Sequence, residues 1–332
     1  MIPRLAAGDL SVSSIFDPVS APAEAVQGVA ALVLSITGAI FVIVAGLLIF
    51  AIVRYRQRPG DPQGEPPQIY GSGRIELAWT VIPLLAVTVL FLSTTRTIFA
   101  VQGAALPDDS LRVEVIGHQW WWEFHYPELG VTTANELHVP VSNRNDRRPT
   151  RLDLESQDVV HSFWVPQLAG KTDLIPNHEN RMWIEPFETG EYLGQCAEYC
   201  GVQHAHMLLR VVVHSPEDFD RWVVEQQRPA VRDASVADGR KVFMDTACIN
   251  CHTIRGEPER IADGVADGRF GPDLTHLMSR ATIGAGAAKN TPENLRDWIN
   301  DPEHLKPGAL MPPMKLEPQR LDRLVAYLTS LR

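Results

Sequence analysis

Four residues that can bind a soft metal ion lie close together in the chain: Cys196, Cys200, His204 and Met207. Thiolate, imidazole and thioether groups form a ligand set that is typical of copper, whereas zinc has no need of a methionine at this spacing. His161 precedes them in the sequence VVHSF and adds a second imidazole. A mononuclear blue-copper site uses one cysteine, so a second cysteine four positions on allows two thiolates to bridge two copper ions.

A second group of ligand-type residues lies in the sequence CINCH, where Cys248, Cys251 and His252 match the C-x-x-C-H signal for haem c attachment. Two thioethers would hold the haem, and the histidine would bind its iron. Met311 and Met314, in LKPGALMPPMK, are the candidates for the opposite axial ligand. A thioether ligand raises the haem potential, which suits delivery of electrons to a high-potential acceptor.

Two uncharged stretches near the N-terminus, 25–53 and 77–95, are long enough to cross a bilayer. Four arginines occupy the segment between them: Arg54, Arg56, Arg58 and Arg74. The positive-inside rule therefore predicts two transmembrane helices, about 25–53 and 77–99, with a cytoplasmic loop. The N-terminal segment 1–24 and everything after about residue 100 would then be extracytoplasmic. Glu76 lies at the cytoplasmic end of the second span, where a carboxylate can serve proton uptake or simply lie among the headgroups.

The segment 100–228 has the pattern of a β domain. Apolar and polar residues alternate in 111–116, 137–141 and 206–213, with turn residues between them. This pattern predicts an antiparallel sandwich or barrel. If His204 and His206 lay on a strand, they would share one face. Likewise, Trp120 and Trp122 would face one way and Trp121 the other.

The segment 237–332 has a helical pattern, and 229–236 is expected to be a linker. A helix is predicted before CINCH over 238–247, another beginning at Thr291-Pro292, and a third over about 317–331. Met278 is interpreted as a packing residue.

Composition and charge exclude several classes of protein. The chain has 332 residues, of which 45% are hydrophobic, and a net charge of −10. These values argue against a disordered protein and a nucleic-acid binder. The segment 97–236 holds 11 of the basic and 21 of the acidic residues, and so carries the whole negative balance. A field of one sign on one domain can steer a cationic partner.

The copper-type motif C-x-E-x-C-x3-H-x2-M, with the tryptophan run 120–122 and the haem motif, resembles one family over nearly the whole chain. That family is subunit II of bacterial haem–copper cytochrome c oxidases, here with a fused C-terminal class I cytochrome c. The resemblance implies a multi-domain membrane protein with a two-helix transmembrane hairpin, an all-β cupredoxin sandwich and an all-α cytochrome c. It implies the bacterial inner membrane as location, with both redox domains on its extracytoplasmic side.

The resemblance also implies roles for particular residues. Cys196 and Cys200 would bridge the dinuclear CuA centre, with His161 and His204 as terminal ligands and Met207 as a weak axial ligand. Glu198 would offer its main-chain carbonyl to copper and its side chain to a magnesium ion shared with subunit I. Trp120 would be the point of electron uptake, and Glu76 would lie on a proton-uptake path. Met311 matches the family's Pro-Gly-x-x-Met-Pro pattern and would be the axial haem ligand. Asp158, Lys171 and Asp173 are expected to form subunit contacts.

The implied function is electron input to a proton-pumping cytochrome-c oxidase, a translocase of class EC 7.1.1.9. An external cytochrome c would reduce haem c, and CuA would pass the electron to subunit I, whose haem a and copper site reduce oxygen to water. Subunit III and membrane lipid are further implied partners, and this chain itself would hold no oxygen-reducing site. Two alternatives stay open at this stage: the small subunit of a CuA-bearing nitric oxide reductase, and a membrane-tethered electron carrier or copper-handling protein.

Overall fold

The structure is a computed structural model that describes residues 14–60, 64–65, 68, 70–231, 233–256 and 270–332. The chain divides into two compact units, of which one comprises residues 24–105 and the other holds the remainder. The N-terminal residues 1–13 lie outside the described part, as do 257–269 after the haem motif.

Two long apolar helices, α1 (Ala21–Arg54) and α2 (Gly73–Gln102), make up most of the smaller unit. At about 1.5 Å per residue, each exceeds the thickness of a hydrocarbon core of roughly 30 Å. Leucine, isoleucine, valine and phenylalanine side chains are exposed along both helices, as expected for lipid-facing surfaces. The hydroxyl groups of Thr80 and Thr88 donate hydrogen bonds to the backbone carbonyls four residues earlier, so both hydroxyls have a partner within α2. Both helices are thus long and apolar enough to cross a membrane.

The middle of the chain folds into two five-stranded sheets that enclose one hydrophobic core. The strands are β1 (Leu111–His118), β2 (Trp121–Tyr126), β3 (Val131–Ala134), β4 (Glu136–Pro140), β5 (Thr150–Ser156), β6 (His161–Trp164), β7 (Thr172–Leu174), β8 (Asn180–Ile184), β9 (Gly190–Cys196) and β10 (Leu208–His214). One sheet has the order β3-β2-β1-β5-β8 and the other β4-β10-β9-β6-β7. The largest side chains in the core are aromatic and come from β2 and β6.

The sandwich is not purely antiparallel, which corrects the expectation from strand spacing. β1 pairs with β5 in parallel, and β10 pairs with β4 in parallel, so each sheet is mixed. Parallel pairing requires a crossover between the partners. The long connections from β1 to β5 and from β4 to β10 supply these crossovers, and the alternation of residues along a single strand does not reveal them.

The C-terminal segment is mainly helical. Helix α3 (Pro216–Gln226) closes the cupredoxin domain, and its Trp222 belongs to the core of the sandwich. The helices that follow are α4 (Ala237–Asp245), α5 (Pro292–Asn300), α6 (Pro302–Leu305) and α7 (Pro318–Leu328), and a two-stranded ladder is formed by β11 (Thr282–Ile283) and β12 (Ala288–Lys289). Thr291 caps α5 by accepting a hydrogen bond from the amide of Asn294, as the Thr-Pro sequence predicts. α4, α5 and α7 bury apolar faces in one common core.

Candidate copper centre and haem site

The copper-type residues come together at one end of the second sheet. His161 begins β6, Cys196 ends β9, and β10 follows directly after Met207. His204 lies between them in a short 3₁₀ turn, His204–His206. β6 and β9 are neighbours, and the pairing of Phe163 with Cys196 brings the two early ligands side by side.

The ligand atoms of this cluster lie at similar distances from one another. The Sγ atoms of Cys196 and Cys200 are 3.8 Å apart. His161 Nδ1 lies 3.9 Å from Cys196 Sγ, and His204 Nδ1 lies 3.7 Å from Cys200 Sγ. The Met207 sulfur is 3.8 Å from Cys200 Sγ, and the carbonyl oxygen of Glu198 is 3.2 Å from Cys196 Sγ.

This donor set fits a metal centre. Two sulfur atoms that share a tetrahedral ion with bonds of about 2.3 Å lie roughly 3.8 Å apart, which is the separation found here. Cys196, Cys200, His161 and Met207 are all buried, so the ligands are shielded from solvent. Soft thiolate and thioether donors together with imidazole select copper.

The first proton leaves the two cysteines readily. The hydrogen bond between the thiols lowers the pKa of Cys196 to about 3, and the same contact raises the pKa of Cys200. A thiolate is the form that binds a metal. The fold thus prepares one thiolate before any cation arrives.

Asp158 is a member of this site that the sequence analysis placed elsewhere, at a subunit contact. Its Oδ1 lies 2.8 Å from Nε2 of His161, on the side of the ring that faces away from Cys196. Its Oδ2 accepts a hydrogen bond of 2.6 Å from the amide of Gln119. Burial opposes ionisation, but the hydrogen bonds from His161, Val159 and Gln119 keep the pKa of Asp158 below its ordinary value. The position of Asp158, three residues before a candidate ligand histidine, is the sequence feature from which this contact could have been predicted, since ligand histidines often bond to a carboxylate.

The backbone carbonyl and the side chain of Glu198 face different partners. Its carbonyl faces Cys196, whereas its side chain is exposed and lies 3.8 Å from the ammonium group of Lys171. That carboxylate is thus free of the sulfur cluster and directed toward solvent.

Of the tryptophan run, Trp121 and Trp122 lie on β2 but Trp120 does not, which corrects the strand geometry predicted for Trp120. Trp120 lies in the turn before β2, and its indole Nε1 donates to the carbonyl of Cys200 at 2.9 Å. The side-chain amide of Gln119 donates to the same carbonyl at 2.8 Å. Trp122 is fully buried in the sandwich, and Trp121 stacks on His118 at 4.2 Å. The ring nitrogens of Trp120 and Trp122 both donate to carbonyls of copper-ligand residues, Trp120 to Cys200 at 2.9 Å and Trp122 to Met207 at 3.4 Å.

The predicted strand geometry of His204 and His206 is also wrong, because both lie in the 3₁₀ turn rather than on β10. His204 faces Cys200, whereas His206 bonds to Gln203. Other histidines also have local partners, including His118 with Glu123 and His125 with Glu114.

The haem-type residues line an apolar cavity of about 430 Å³ in the C-terminal domain. Cys248, Cys251 and His252 form one wall, and Met311 and Met314 contribute to the same cavity. Nδ1 of His252 lies 2.8 Å from the carbonyl of Pro272, which leaves Nε2 as the nitrogen available for iron. Burial lowers the pKa of His252 and so favours the neutral imidazole that binds metals.

Gly271 shows how closely the chain packs around this histidine. A Cβ atom at position 271 would lie 2.5 Å from Cε1 of His252. No real side chain tolerates that approach, so glycine is required if the ring is to keep its position. The residues therefore fit a C-x-x-C-H haem site.

The two candidate axial methionines differ in their surroundings. Met314 packs against the domain core, and its amide donates to the carbonyl of Ile299. Met311 lines the cavity without joining that core cluster, and it follows the turn at Gly308, where φ is +91°. Met278 packs against the core and is not part of the cavity wall.

The cupredoxin and cytochrome c domains contact each other within one unit. Gln119, Trp120 and Trp121 line the haem cavity from the cupredoxin side. The Glu136 carboxylate accepts hydrogen bonds from the amides of Ala281 and Thr282, and burial raises its pKa. Trp121 also forms a small apolar cluster with Ala134 and Ala285.

Glu76 lies in the first turn of α2 and is exposed. Its position at the start of α2 agrees with the sequence analysis.

Family comparisons match three consecutive parts of the chain. Residues 11–95 match the transmembrane domain of cytochrome c oxidase subunit II, residues 111–215 match its periplasmic domain, and residues 236–332 match cytochrome c. The periplasmic domain of subunit II of the cytochrome oxidase of Bradyrhizobium japonicum aligns with 37% of this chain and 97% of its own, at 29% identity and a TM-score of 0.34.

Two curated relatives match over most of their length. Cytochrome c oxidase subunit 2 of Alkalihalophilus pseudofirmus is 35% identical over 88% of this chain and 82% of its own. The protein of the same name from Bacillus sp. strain PS3 is 33% identical over 84% of this chain and 80% of its own. The chain belongs to the cytochrome c oxidase subunit II family, with a copper-binding cupredoxin domain, two N-terminal apolar helices and a C-terminal cytochrome c domain.

Proposed function

We propose that this chain is the electron-input subunit of a proton-pumping cytochrome-c oxidase. It would take electrons from an external cytochrome c at a covalent haem c and deliver them through a dinuclear CuA centre to subunit I. Bound haem c and CuA supply reversible one-electron chemistry, and a copper pair bridged by two thiolates spreads the charge of each electron.

The contact between the two redox domains is the observation that carries this proposal. Trp120 lines the haem cavity and at the same time donates its indole hydrogen bond to the carbonyl of Cys200. One side chain thus connects the wall of the cytochrome c domain to the loop that holds the copper ligands. A chain that only stores or delivers copper has no use for such a connection.

The ligand residues contribute position and protection from water. Cys196 and Cys200 would bridge the two copper ions, His161 and His204 would bind at either end, and Met207 would be a weak axial ligand. The cluster is assembled on β6, β9 and the loop that follows β9, so the rigid sheet holds its geometry. In the haem domain, Cys248 and Cys251 would form the thioethers, with His252 and Met311 as axial ligands.

Further partners follow from the family. Subunits I and III would associate with this chain in the bacterial inner membrane, and both redox domains would lie on the extracytoplasmic side. The exposed carboxylate of Glu198 would reach a magnesium ion shared with subunit I. Glu76 would lie on the cytoplasmic side, next to a proton-uptake path of subunit I. The segment with Arg54, Arg56, Arg58 and Arg74 supports that orientation through the positive-inside rule.

The first experiment is a dithionite-reduced minus oxidised optical spectrum of the complex purified through a tag on this chain in mild detergent. We expect bands of haem c together with an a-type haem, which mark an oxygen-reducing oxidase. Haem c accompanied by b-type haem alone would instead support a nitric oxide reductase. Haem c alone from an intact complex would contradict the proposal.

A further inference from the structure

The contact between the cupredoxin and cytochrome c domains contains a buried lysine. Lys306, directly after α6, is 4% exposed. Its Nζ atom donates to the carbonyl of Trp120 at 2.9 Å and to the carbonyl of Gly284 at 2.9 Å. No carboxylate within ion-pair distance of Lys306 is found among the residues that the structure describes. Burial lowers its pKa to about 7, which reflects the loss of water around the ammonium group.

Each acceptor of Lys306 belongs to a different domain. Trp120 is part of the cupredoxin domain, whereas Gly284 lies in the turn of the β11–β12 ladder. Both residues and Lys306 itself line the haem cavity. The ammonium group therefore joins the two domains at the edge of the cavity, beside the tryptophan that donates to the copper-ligand loop.

The two acceptors of Lys306 are fixed in place by other contacts. The Trp120 ring is held by its hydrogen bond to Cys200, and a Cβ atom on Gly201 would lie 2.9 Å from that ring. Gly284 has a φ of +62°, and a Cβ there would meet Trp298 at 3.0 Å. Since both residues are closely packed within their own domains, the lysine that bridges their carbonyls ties one domain to the other.

A buried ammonium is a costly means of packing, because it gives up its hydration for two neutral carbonyl acceptors. An apolar side chain of similar length would fill the same space without that cost. A lysine at position 306 is therefore explained by its directional hydrogen bonds, which an apolar side chain cannot form. Lysine supplies them with a long stem and several N–H donors.

We propose that Lys306 is a positioning residue for electron transfer within this chain, because its ammonium group holds the haem cavity against the backbone of Trp120. This inference rests on the proposed function. The transfer moves one electron from ferrous haem to the oxidised copper pair, so the iron is oxidised by one unit and the copper pair is reduced by one. No bond is made or broken, and no proton is transferred.

The test uses the complete detergent-solubilised complex with Lys306→Met, which keeps the length of the side chain and removes its donors. A photosensitiser injects one electron into haem c, and the absorbance of haem c and of the copper centre follows the internal step. We expect this step to slow by about tenfold or more, since small displacements of reacting partners carry large rate penalties. The haem spectrum and the copper content should be those of the parent.

Hydrogen exchange gives a second reading that does not depend on activity. The amides of Leu208 and Ala281 donate across the domain contact, to Ala285 and Glu136 respectively. Both amides should exchange faster in Lys306→Met. The control is Lys241→Met, which removes an exposed lysine from α4 of the same domain and should change neither rate. Lys306→Gln keeps a donor without the charge and should fall between the parent and Lys306→Met in both measurements.

The outcomes separate the two proposals. An unchanged internal rate in a Lys306→Met complex that holds both cofactors would overturn the role of Lys306 alone. A slower rate with unchanged exchange at Leu208 and Ala281 would also overturn it, because the effect would then be electrostatic rather than positional. If the parent complex passed no electron from haem c to copper, the proposed function would fail as well.

Discussion

His161 and Asp158 form a hydrogen-bonded pair that directs the imidazole toward the sulfur cluster. The ring presents Nδ1 to Cys196 at 3.9 Å and Nε2 to the carboxylate at 2.8 Å. Because Asp158 also binds the amide of Gln119, it fixes the ring and the segment before Trp120 together. One carboxylate thus bonds both to a copper-ligand histidine and to the backbone of Gln119, a residue that lines the haem cavity.

Asp158→Asn should weaken copper binding while leaving the sandwich folded. Loss of a carboxylate that orients a ligand histidine typically lowers metal affinity by about 10–100-fold. Copper content after dialysis against a graded chelator measures this effect. Asp220→Asn, on the exposed side of α3, is the control and should retain copper like the parent. Equal copper retention in both variants would contradict the assigned role of Asp158.

Met311→Leu should abolish the low-spin spectrum of haem c, whereas Met314→Leu should preserve it. Met311 lines the cavity without joining the core cluster, while Met314 packs against that cluster. A leucine at position 314 is a volume-conserving change that costs under about 1.5 kcal/mol of stability. Optical and magnetic circular dichroism spectra of the oxidised protein make the comparison. The opposite pattern would transfer the axial role to Met314.

Gly271→Ala should reduce the yield of covalently attached haem. The added methyl group would lie 2.5 Å from Cε1 of His252, so the ring must leave its bond to Pro272. Haem-staining intensity per mole of chain after denaturing electrophoresis reports attachment. Gly170→Ala is the control, because a Cβ at that position meets no atom within 4 Å. Full haem content in Gly271→Ala would contradict this prediction, because the His252 ring would then accommodate the added methyl group.

Acid should destabilise the cupredoxin domain through His138. Burial lowers its pKa to about 3, with the neighbouring His214 adding to the effect. The unfolded chain binds a proton near pH 6.5 and the folded one does not, so stability falls as the pH drops below about 6.5, by up to roughly 1.4 kcal/mol per unit. Above that pH the group contributes no pH dependence.

Thermal unfolding of the full chain in detergent, followed by tryptophan fluorescence from about pH 7.5 to pH 5, measures this slope. His138→Gln should lower the midpoint at neutral pH, since His138 stacks on Trp222 at 4.3 Å, and should flatten the pH dependence. His178→Gln, at an exposed position, should keep the parental slope. An equal slope in all three proteins would contradict the role of His138.

Local sequence patterns were sufficient to predict the two apolar helices, three of the ten strands of the sandwich (β1, β4 and β10) and the helices α4, α5 and α7. The ligand motifs also predicted which residues meet: His161 joins Cys196 and Cys200, and His252 shares a cavity with Met311. The parallel pairs β1–β5 and β10–β4 were missed, because an alternating strand carries no information about its neighbour's direction. The turn geometry of Trp120 and His206 was missed because strand periodicity was extended past the true ends of β2 and β10.

Contacts between residues that are far apart in the chain were also not predicted from the sequence. Asp158 was expected to form a subunit contact, and its hydrogen bond to His161 was not predicted, since that bond depends on how the loop between β5 and β6 folds. Lys306 lies 186 positions from Trp120, and nothing in its immediate sequence distinguishes it from an exposed lysine. Such partners become visible only when the two domains are seen in contact.

The segment that joins the two redox domains has a consequence for salt dependence. The amide of Ala230 donates to the carbonyl of Arg255, and the Ala230 side chain lies in the cytochrome core, so the tether is anchored at this residue. A short tether makes association intramolecular, with effective concentrations of about millimolar or above. Such an encounter needs no long-range attraction, whereas an external carrier must find the chain by diffusion through a screening electrolyte. On the proposed function, rising ionic strength should therefore slow delivery by an external carrier and leave the internal step unchanged.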